Sequence, residues 1–346
     1  MTKDELYMLR AIELAELGRG KVRPNPLVGC VIVHNDKIIG EGYHQVYGGP
    51  HAEVNAISAV KDKALLKAST LYVTLEPCSH FGKTPPCADL LVSHKVNTVI
   101  IGALDSNPLV AGKGVAKLQA AGIKVVSGLW QDKVRLQNDR FFTVMEKKRP
   151  FVLLKWAQTA DGFVARANFD SKWISNSHSR QLVHKWRAEE QAIMVGTHTA
   201  HYDNPQLNVR LFEGNDPIRV VIDKKLKLNP DSHLFDKTQP TICYNTLKDG
   251  ETENLIYVKL SEDFDVVDIL NDLHLKKVQS ILVEGGSFLL QSFISENLWD
   301  EARVFTGNIK FGEGIKAPEL GVLAKEKIDI TGDCLEIFHN PSPKSL

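Results

Sequence analysis

Nothing in this 346-residue chain is in the kind of excess that marks a nucleic-acid or membrane protein. Lys and Arg total 42, Asp and Glu also 42, and the pI is about 7.2, so the basic surplus of a phosphate-backbone binder is missing. No run of about 18 apolar residues occurs. The opening Met1-Thr2-Lys3-Asp4-Glu5 lacks the apolar stretch of a secretory signal, and a cytoplasmic location is expected. Cysteine is sparse: Cys30, Cys78, Cys87, Cys243 and Cys334 are an odd set of 5 without framework spacing. Such thiols suit a reducing compartment and a metal better than disulfides. No Gly-x-Gly-x-x-Gly follows an expected strand, which removes the standard dinucleotide fingerprint. A small-molecule enzyme with no nucleic-acid or membrane partner is the class left standing.

The length allows two domains, each with its own core. Apolar spacing predicts a helix over 4–17, ended by Gly18, and Arg23-Pro24-Asn25-Pro26 must be irregular because each proline restricts its predecessor. Residues 28–33 and 37–42 read as a hairpin. Helices over 53–60, 87–93 and 115–121 then alternate with strands over 70–75, 96–102 and 123–126. That alternation predicts an α/β sandwich, one sheet with helices on both faces. A charged helical stretch, 131–148, runs into Arg149-Pro150 and suggests a seam there, giving domains 1–148 and 149–346.

The first half is organised around Gly48-Gly49-Pro50-His51-Ala52-Glu53, followed by Pro77-Cys78 and Pro86-Cys87. One His and two Cys are three zinc-type ligands, and a catalytic zinc site keeps its fourth position for water. His-x-Glu followed by Pro-Cys and a second Cys is the pattern of zinc deaminases, although there the cysteines are usually two residues apart. His51 and Glu53 do not share a helix face at i, i+2. They can meet only in an opening turn, where the Gly-Gly-Pro entry frees the backbone. Cys78 follows a strand end and Cys87 opens a helix, where the partial positive charge favours thiolate. In the chemistry this predicts, zinc brings the pKa of water toward about 7 and Glu53 shuttles the proton. Two readings stand beside it: a closed structural zinc site with His44 or His80 as fourth ligand, and a deaminase of nucleosides or tRNA whose second domain only binds.

The segments Pro24-Asn25-Pro26-x-Val28-Gly29, Gly42-x-His44, Gly49-Pro50-His51-Ala52-Glu53 and Glu76-Pro77-Cys78-Ser79-His80-x-Gly82-x-Thr84-Pro85-Pro86-Cys87 resemble the deaminase half of the bifunctional riboflavin-biosynthesis proteins. The long insert between the cysteines is part of that likeness. The resemblance implies a cytidine-deaminase-like domain binding Zn2+ through His51, Cys78 and Cys87, with Glu53 catalytic. Asn25, His44, His80, Lys83 and Thr84 would bind a phosphorylated pyrimidine.

Farther along, strands are expected over 151–157, 192–196, 217–223, 280–284 and 302–306, helices over 177–189 and 288–295, and a turn at 159–162. Gly285-Gly286-Ser287 between a strand and a helix start suits a phosphate. Lys155-x-Ala157-x-Thr159-x-Asp161-Gly162, Ser171-x-Trp173-Ile174-Ser175, His184-x-x-Arg187 and Val283-Glu284-Gly285-Gly286 resemble the reductase half of the same family. So does the run from Val195 to Arg210. Ser175-Asn176 and Asp203-Asn204-Pro205 stand where the family often has Thr-Gly and Asp-Asp-Pro. The likeness implies a dihydrofolate-reductase-like α/β domain using NADPH. Its substrate would touch Ser171, Arg187, Leu207, Arg210 and Glu284, with the two arginines as a phosphate clamp and Lys155 as the polar group near the sugar. Ala157, Trp173, Thr199, Asp203, Gly286 and Ser287 would hold the cofactor. A homo-oligomer is expected. Residues beyond about 310 carry no recognisable motif.

Overall fold

The computed structural model describes residues 1–81, 85–107, 110–171 and 173–346. These fall into two compact units, Met1–Glu146 and Lys147–Leu346.

In the first unit α1 (Lys3–Glu16) starts from a capping box: the Glu5 N–H donates to Thr2 Oγ1 at 3.2 Å and the Thr2 N–H donates to Glu5 Oε2 at 2.7 Å. β1 (Gly29–His34) and β2 (Lys37–Tyr43) form a hairpin, its turn closed by Asn35 and Asp36, both in the left-handed region. Then come α2 (Ala52–Ala59), β3 (Thr70–Leu75), α3 (Cys87–Ser93), β4 (Thr98–Ala103), α4 (Lys113–Ala120) and β5 (Lys124–Ser127). The sheet runs β2-β1-β3-β4-β5, antiparallel at the β1 pairs and parallel from β3 to β5. Alternate residues feed two cores. Cys30, Ile32, Leu71, Val73, Val99 and Ile101 pack with α2 to α4, whereas Val31, Tyr72 and Ile100 pack with α1 and the helices at the end of the unit. This is the expected sandwich.

The expected helix over 131–148 is instead two, α5 (Gln131–Gln137) and α6 (Asp139–Lys147). Asn138 leaves helical geometry at φ −111° and ψ 24°. Its buried amide accepts from the Leu27 N–H at 2.7 Å and donates to the Leu27 carbonyl at 3.0 Å. The loop that carries Asn25 is thereby fastened from across the unit.

The second unit runs β6 (Phe151–Gln158), β7 (Phe163–Ala165), α7 (Ser177–Glu189), β8 (Ala192–Val195), α8 (Thr197–Asp203), β9 (Ile218–Ile222), β10 (Thr241–Asn245), β11 (Gly250–Thr252), β12 (Leu255–Lys259) and α9 (Val266–Leu275). It closes with β13 (Ser280–Val283), α10 (Ser287–Ser295), β14 (Glu301–Thr306), β15 (Ile315–Lys316), β16 (Glu326–Ile330) and β17 (Asp333–His339). Ten strands form one sheet in the order β11-β12-β10-β9-β8-β13-β6-β14-β17-β16, parallel from β12 to β14. From β8 the chain builds outward through β9 and β10, but β13 inserts beside β8 and β14 lies on the far side of β6. That reversal opens a crevice at the carboxyl ends of β6, β8 and β13, where open α/β sheets place their ligands. The C-terminal residues, unread in the sequence, supply β17 beside β14 and the edge strand β16. Asp333 accepts from the Asn176 N–H at 2.8 Å and from Ser179 Oγ at 2.6 Å, which fixes the start of α7.

Candidate active sites

In the first unit two helix starts and one strand end meet. Gly42 lets α2 lie directly on β2: a Cβ there would come within 2.3 Å of the Ala56 nitrogen. His51 is the N-cap of α2 and its side chain makes no capping bond, so the ring is available to turn toward the cysteines. Cys87 is the first residue of α3, and its backbone N–H donates to Cys78 Sγ at 3.3 Å. His51 Nδ1 lies 3.6 Å from Cys78 Sγ and 3.3 Å from Cys87 Sγ, and the three donor atoms all lie within 4.8 Å of one another. A tetrahedral zinc with ordinary Zn–N and Zn–S bonds has N···S edges of about 3.6 Å, so the donor set fits the ion. Hydrogen bonding from Cys87, with His51 adding, holds Cys78 down to about 4, while Cys78 and burial push Cys87 up. The environment favours a thiolate at one sulfur, as zinc needs. Among the described residues no fourth protein donor joins this group, and neither His44 nor His80 is part of it.

Glu53, in the first turn of α2, is 3% exposed and lies against Cys87. Burial raises its carboxyl, the charge of Cys78 raises it further, and His51 opposes both. His44 Nδ1 is 3.0 Å from the Pro50 carbonyl, which can only accept. The ring proton therefore sits on Nδ1, and Nε2 accepts from Asn25 Nδ2 at 3.0 Å. This places Asn25 and His44 together, with the His44 ring edge-on to His51 at 5.5 Å. His80 is half-buried, and among the described residues its Nδ1 has no hydrogen-bond partner. Lys83 and Thr84 lie outside the described residues.

Sequence reasoning missed Glu76. Its buried carboxylate accepts from the backbone N–H groups of Asp105, Gly112, Gly114 and Val115 at 3.0–3.3 Å. The strand end leading to Cys78 is thereby tied to the start of α4. Its place just before Pro77-Cys78 was the available signal. Asp105 beside it is raised by burial to about 6.

In the second unit a cavity of about 490 Å³ occupies the crevice and is lined by every residue the sequence proposed for this half. Lys155 and Ala157 come from β6, Arg187 from α7, Thr199 and Asp203 from α8. Glu284 follows β13, and Gly286 and Ser287 open α10. Ser171 Oγ lies 3.4 Å from Asp203 Oδ1, and exposed Trp173 lies over the Arg180 guanidinium. Gly286 sits at φ 71° with Thr199 Oγ1 3.3 Å from where a Cβ would be, so only glycine is relaxed there.

The arginines differ from expectation. Arg187 is mostly buried, its side chain 12% exposed, and its Nε and Nη2 both meet Glu284 at 2.7 Å while Nη1 donates to the Asn208 carbonyl at 3.2 Å. Its fork is committed to a protein carboxylate rather than offered to a phosphate. Arg210 is exposed, and its Nη1 donates to the Gln206 and Asn208 side chains. Arg187 and Lys155 hold Glu284 down to about 2 against its burial. Burial lowers Lys155, with Glu284 opposing. The cavity wall also includes His184, Phe169 and Tyr202, which sequence reasoning did not place at the site. Phe169 and Tyr202 are stacked at 4.5 Å. His184 stood in the quoted motif; the other two had no local signal.

Residues 1–103 match the model of the cytidine and deoxycytidylate deaminase zinc-binding region, and residues 150–328 that of the RibD C-terminal domain. The riboflavin biosynthesis protein RibD of Aquifex aeolicus is 38% identical, the match covering 97% of this chain and 98% of that one. That of Escherichia coli is 37% identical over 88% and 87%. Among solved structures, the diaminohydroxyphosphoribosylaminopyrimidine deaminase/5-amino-6-(5-phosphoribosylamino)uracil reductase of Thermotoga maritima superposes with a TM-score of 0.88. It is 38% identical, and the match covers 98% of this chain and 99% of that one. RibD of Acinetobacter baumannii (form 2) also gives 0.88, at 33% identity over 97% and 98%.

Proposed function

The chain belongs to the RibD family of bifunctional riboflavin-biosynthesis enzymes, zinc-dependent deaminases and NADPH-dependent reductases, and on that premise we propose which of its residues carry each step. The deaminase takes 2,5-diamino-6-(5-phosphoribosylamino)pyrimidin-4-one and releases ammonia from its 2-position. The reductase turns the ribosyl group of that product into ribityl, giving 5-amino-6-(5-phosphoribitylamino)uracil. The activities divide between residues 1–148 and 149–346, in a cytoplasmic homo-oligomer.

His51 Nδ1, Cys78 Sγ and Cys87 Sγ hold the zinc. A bound zinc ion supplies a water acidic enough to be deprotonated at neutral pH. Glu53 takes that proton on a carboxylate oxygen and hands it to the ring nitrogen, then to the departing amine. Its burial, with the charge of Cys78 beside it, raises its basicity and keeps the proton off bulk water. Asn25 and His44 orient the pyrimidine; His80, Lys83 and Thr84 complete the binding of base and ribose phosphate.

In the second site bound NADPH would supply the hydride that reduces C1′ of the opened sugar. Trp173, Thr199, Asp203, Ala157, Gly286 and Ser287 hold the cofactor, the last two at the start of α10. Arg210 takes the sugar phosphate, with Ser171 and Leu207 shaping the same end. Arg187 holds Glu284 ionised, and Glu284 and Lys155 share the sugar: the Lys155 amine, less basic for its burial, donates toward the ring oxygen as the furanose opens. Positioning is most of what these residues do.

The observation that carries this reading is the convergence of one ring nitrogen and two sulfurs beside a buried carboxylate, in a chain whose other half encloses an Arg–Glu–Lys cluster in a cavity. The test is to give the purified chain the diaminopyrimidine phosphate with and without NADPH. Ammonia should appear in both cases and NADPH should be consumed only after ammonia release. Ammonia without any NADPH consumption would remove the reductase assignment, and neither would remove both.

A further inference from the structure

We infer that His184 is a positioning residue of the reductase, whose imidazole fastens the backbone of residues 208–210 and so fixes where Arg210 presents its guanidinium. The inference rests on the reading of Arg210 as the phosphate contact.

His184 lies on α7 one turn before Arg187 and is 4% exposed. Its Nδ1 is 3.1 Å from the Arg210 backbone nitrogen. An amide N–H can only donate, so Nδ1 is an unprotonated acceptor and the ring proton belongs on Nε2. The Asn208 backbone next to the ring opposes the lowering of its pKa. Burial, with Arg187 and Arg210 beside it, pushes the imidazole down to about 4, so the ring remains an acceptor at neutral pH.

The segment it holds needs holding. Leu207, bulky and 2% exposed, sits at φ 52°, a conformation sparsely populated for such a residue and kept only when the surroundings over-determine it. Arg219 Nε donates to the Gln206 carbonyl at 3.0 Å, Gln239 Nε2 to the Leu207 carbonyl at 3.4 Å, and Arg187 Nη1 to the Asn208 carbonyl at 3.2 Å. Those bonds take the carbonyls in turn. The Arg210 N–H goes to His184, the link nearest the guanidinium. A shift of about 1 Å there is the scale of misplacement that costs binding geometry.

The test uses the full chain with zinc and NADPH. His184→Phe keeps the ring volume without an acceptor. His184→Gln restores one, its amide oxygen toward the Arg210 N–H. Phe should raise KM for the deaminated substrate, and the Kd of the ribitylaminouracil phosphate by calorimetry, about tenfold or more, one charge-assisted contact. The KM for NADPH should stay within about threefold, and Gln should recover most of the loss. In an Arg210→Ala background His184→Phe should add little, because the group it positions is gone. Wild-type product binding in His184→Phe, no recovery in Gln, or a parallel loss of NADPH binding would each overturn the proposal. Silence of Arg210→Ala itself would instead mean that the phosphate contact was assigned wrongly, and the inference would fall with it. An effect of Arg210→Ala with His184→Phe silent sinks only the role of His184.

Discussion

Replacing Glu284 by Gln would leave the mostly buried Arg187 guanidinium facing a neutral amide, with the carboxylate that meets two of its nitrogens at 2.7 Å removed. The magnitude follows from linkage. The Glu284 carboxyl stands at about 2 against an ordinary 4.5, a difference of 2.5 units. At about 1.4 kcal/mol per pKa step that is about 3.5 kcal/mol at neutral pH, the same order as the 3–5 kcal/mol expected for breaking a buried pair. The sign is fixed: a depressed carboxyl stabilises above its ordinary pKa and loses that stability as pH falls from about 4.5 toward 2. Urea denaturation followed by tryptophan fluorescence reads this unit well, because Trp156, Trp173, Trp186 and Trp299 lie in it and only Trp130 lies in the other. At pH 7 the Glu284→Gln transition should come about 3.5 kcal/mol lower, with ammonia release intact. Between pH 4.5 and 3 the gap to wild type should narrow. A variant within 1 kcal/mol of wild type, or a gap independent of pH, would refute the account of the pair.

Arg210→Ala should lower kcat/KM for reduction by about 10–100-fold, the loss of one charge-assisted contact of about 1.5–3 kcal/mol, with deamination unchanged; separate ammonia and NADPH assays decide it. Asn138→Ala removes both bonds to Leu27 and leaves a buried N–H and carbonyl unpaired. It should cost about 2–3 kcal/mol of stability and raise KM for deamination more than it lowers zinc content. Equal KM values would deny that this amide holds the Asn25 loop.

The metal group was legible because its residue types are few and its chemistry tolerates few substitutes: His51, Glu53, Cys78 and Cys87 stand at the ends of elements that apolar periodicity alone could place. The reductase residues were legible only through resemblance, since Trp173, Arg187 or Arg210 taken singly read as packing and surface charge. What local pattern hides is partnership. Arg187 and Glu284 stand 97 positions apart, and nothing near Arg187 says that its fork closes on a carboxylate rather than a phosphate. The same holds for Asn138, which looks like mid-helix polarity until Leu27 is beside it. Residues 224–279 carry no element in the sequence-level reading, although α9 has a readable capping box, Asp265 with Asp268. Strand β10 is harder: its Thr-Ile-Cys-Tyr-Asn is buried throughout because β9 and β12 flank it, a tertiary fact. β16 is exposed along most of its length and offers no apolar alternation to read.

The claim at the centre is that a zinc held by His51, Cys78 and Cys87 works with Glu53 as its proton carrier. Measuring zinc content and ammonia release together in Glu53→Gln tests it most directly. The expected result is one zinc per chain, as in wild type, with ammonia release lowered at least about a thousandfold (two roles of about 10²-fold or more in one residue) and NADPH-dependent reduction of the pre-deaminated substrate unaffected. A Glu53→Gln chain that keeps its zinc and still releases ammonia near the wild-type rate would contradict the account.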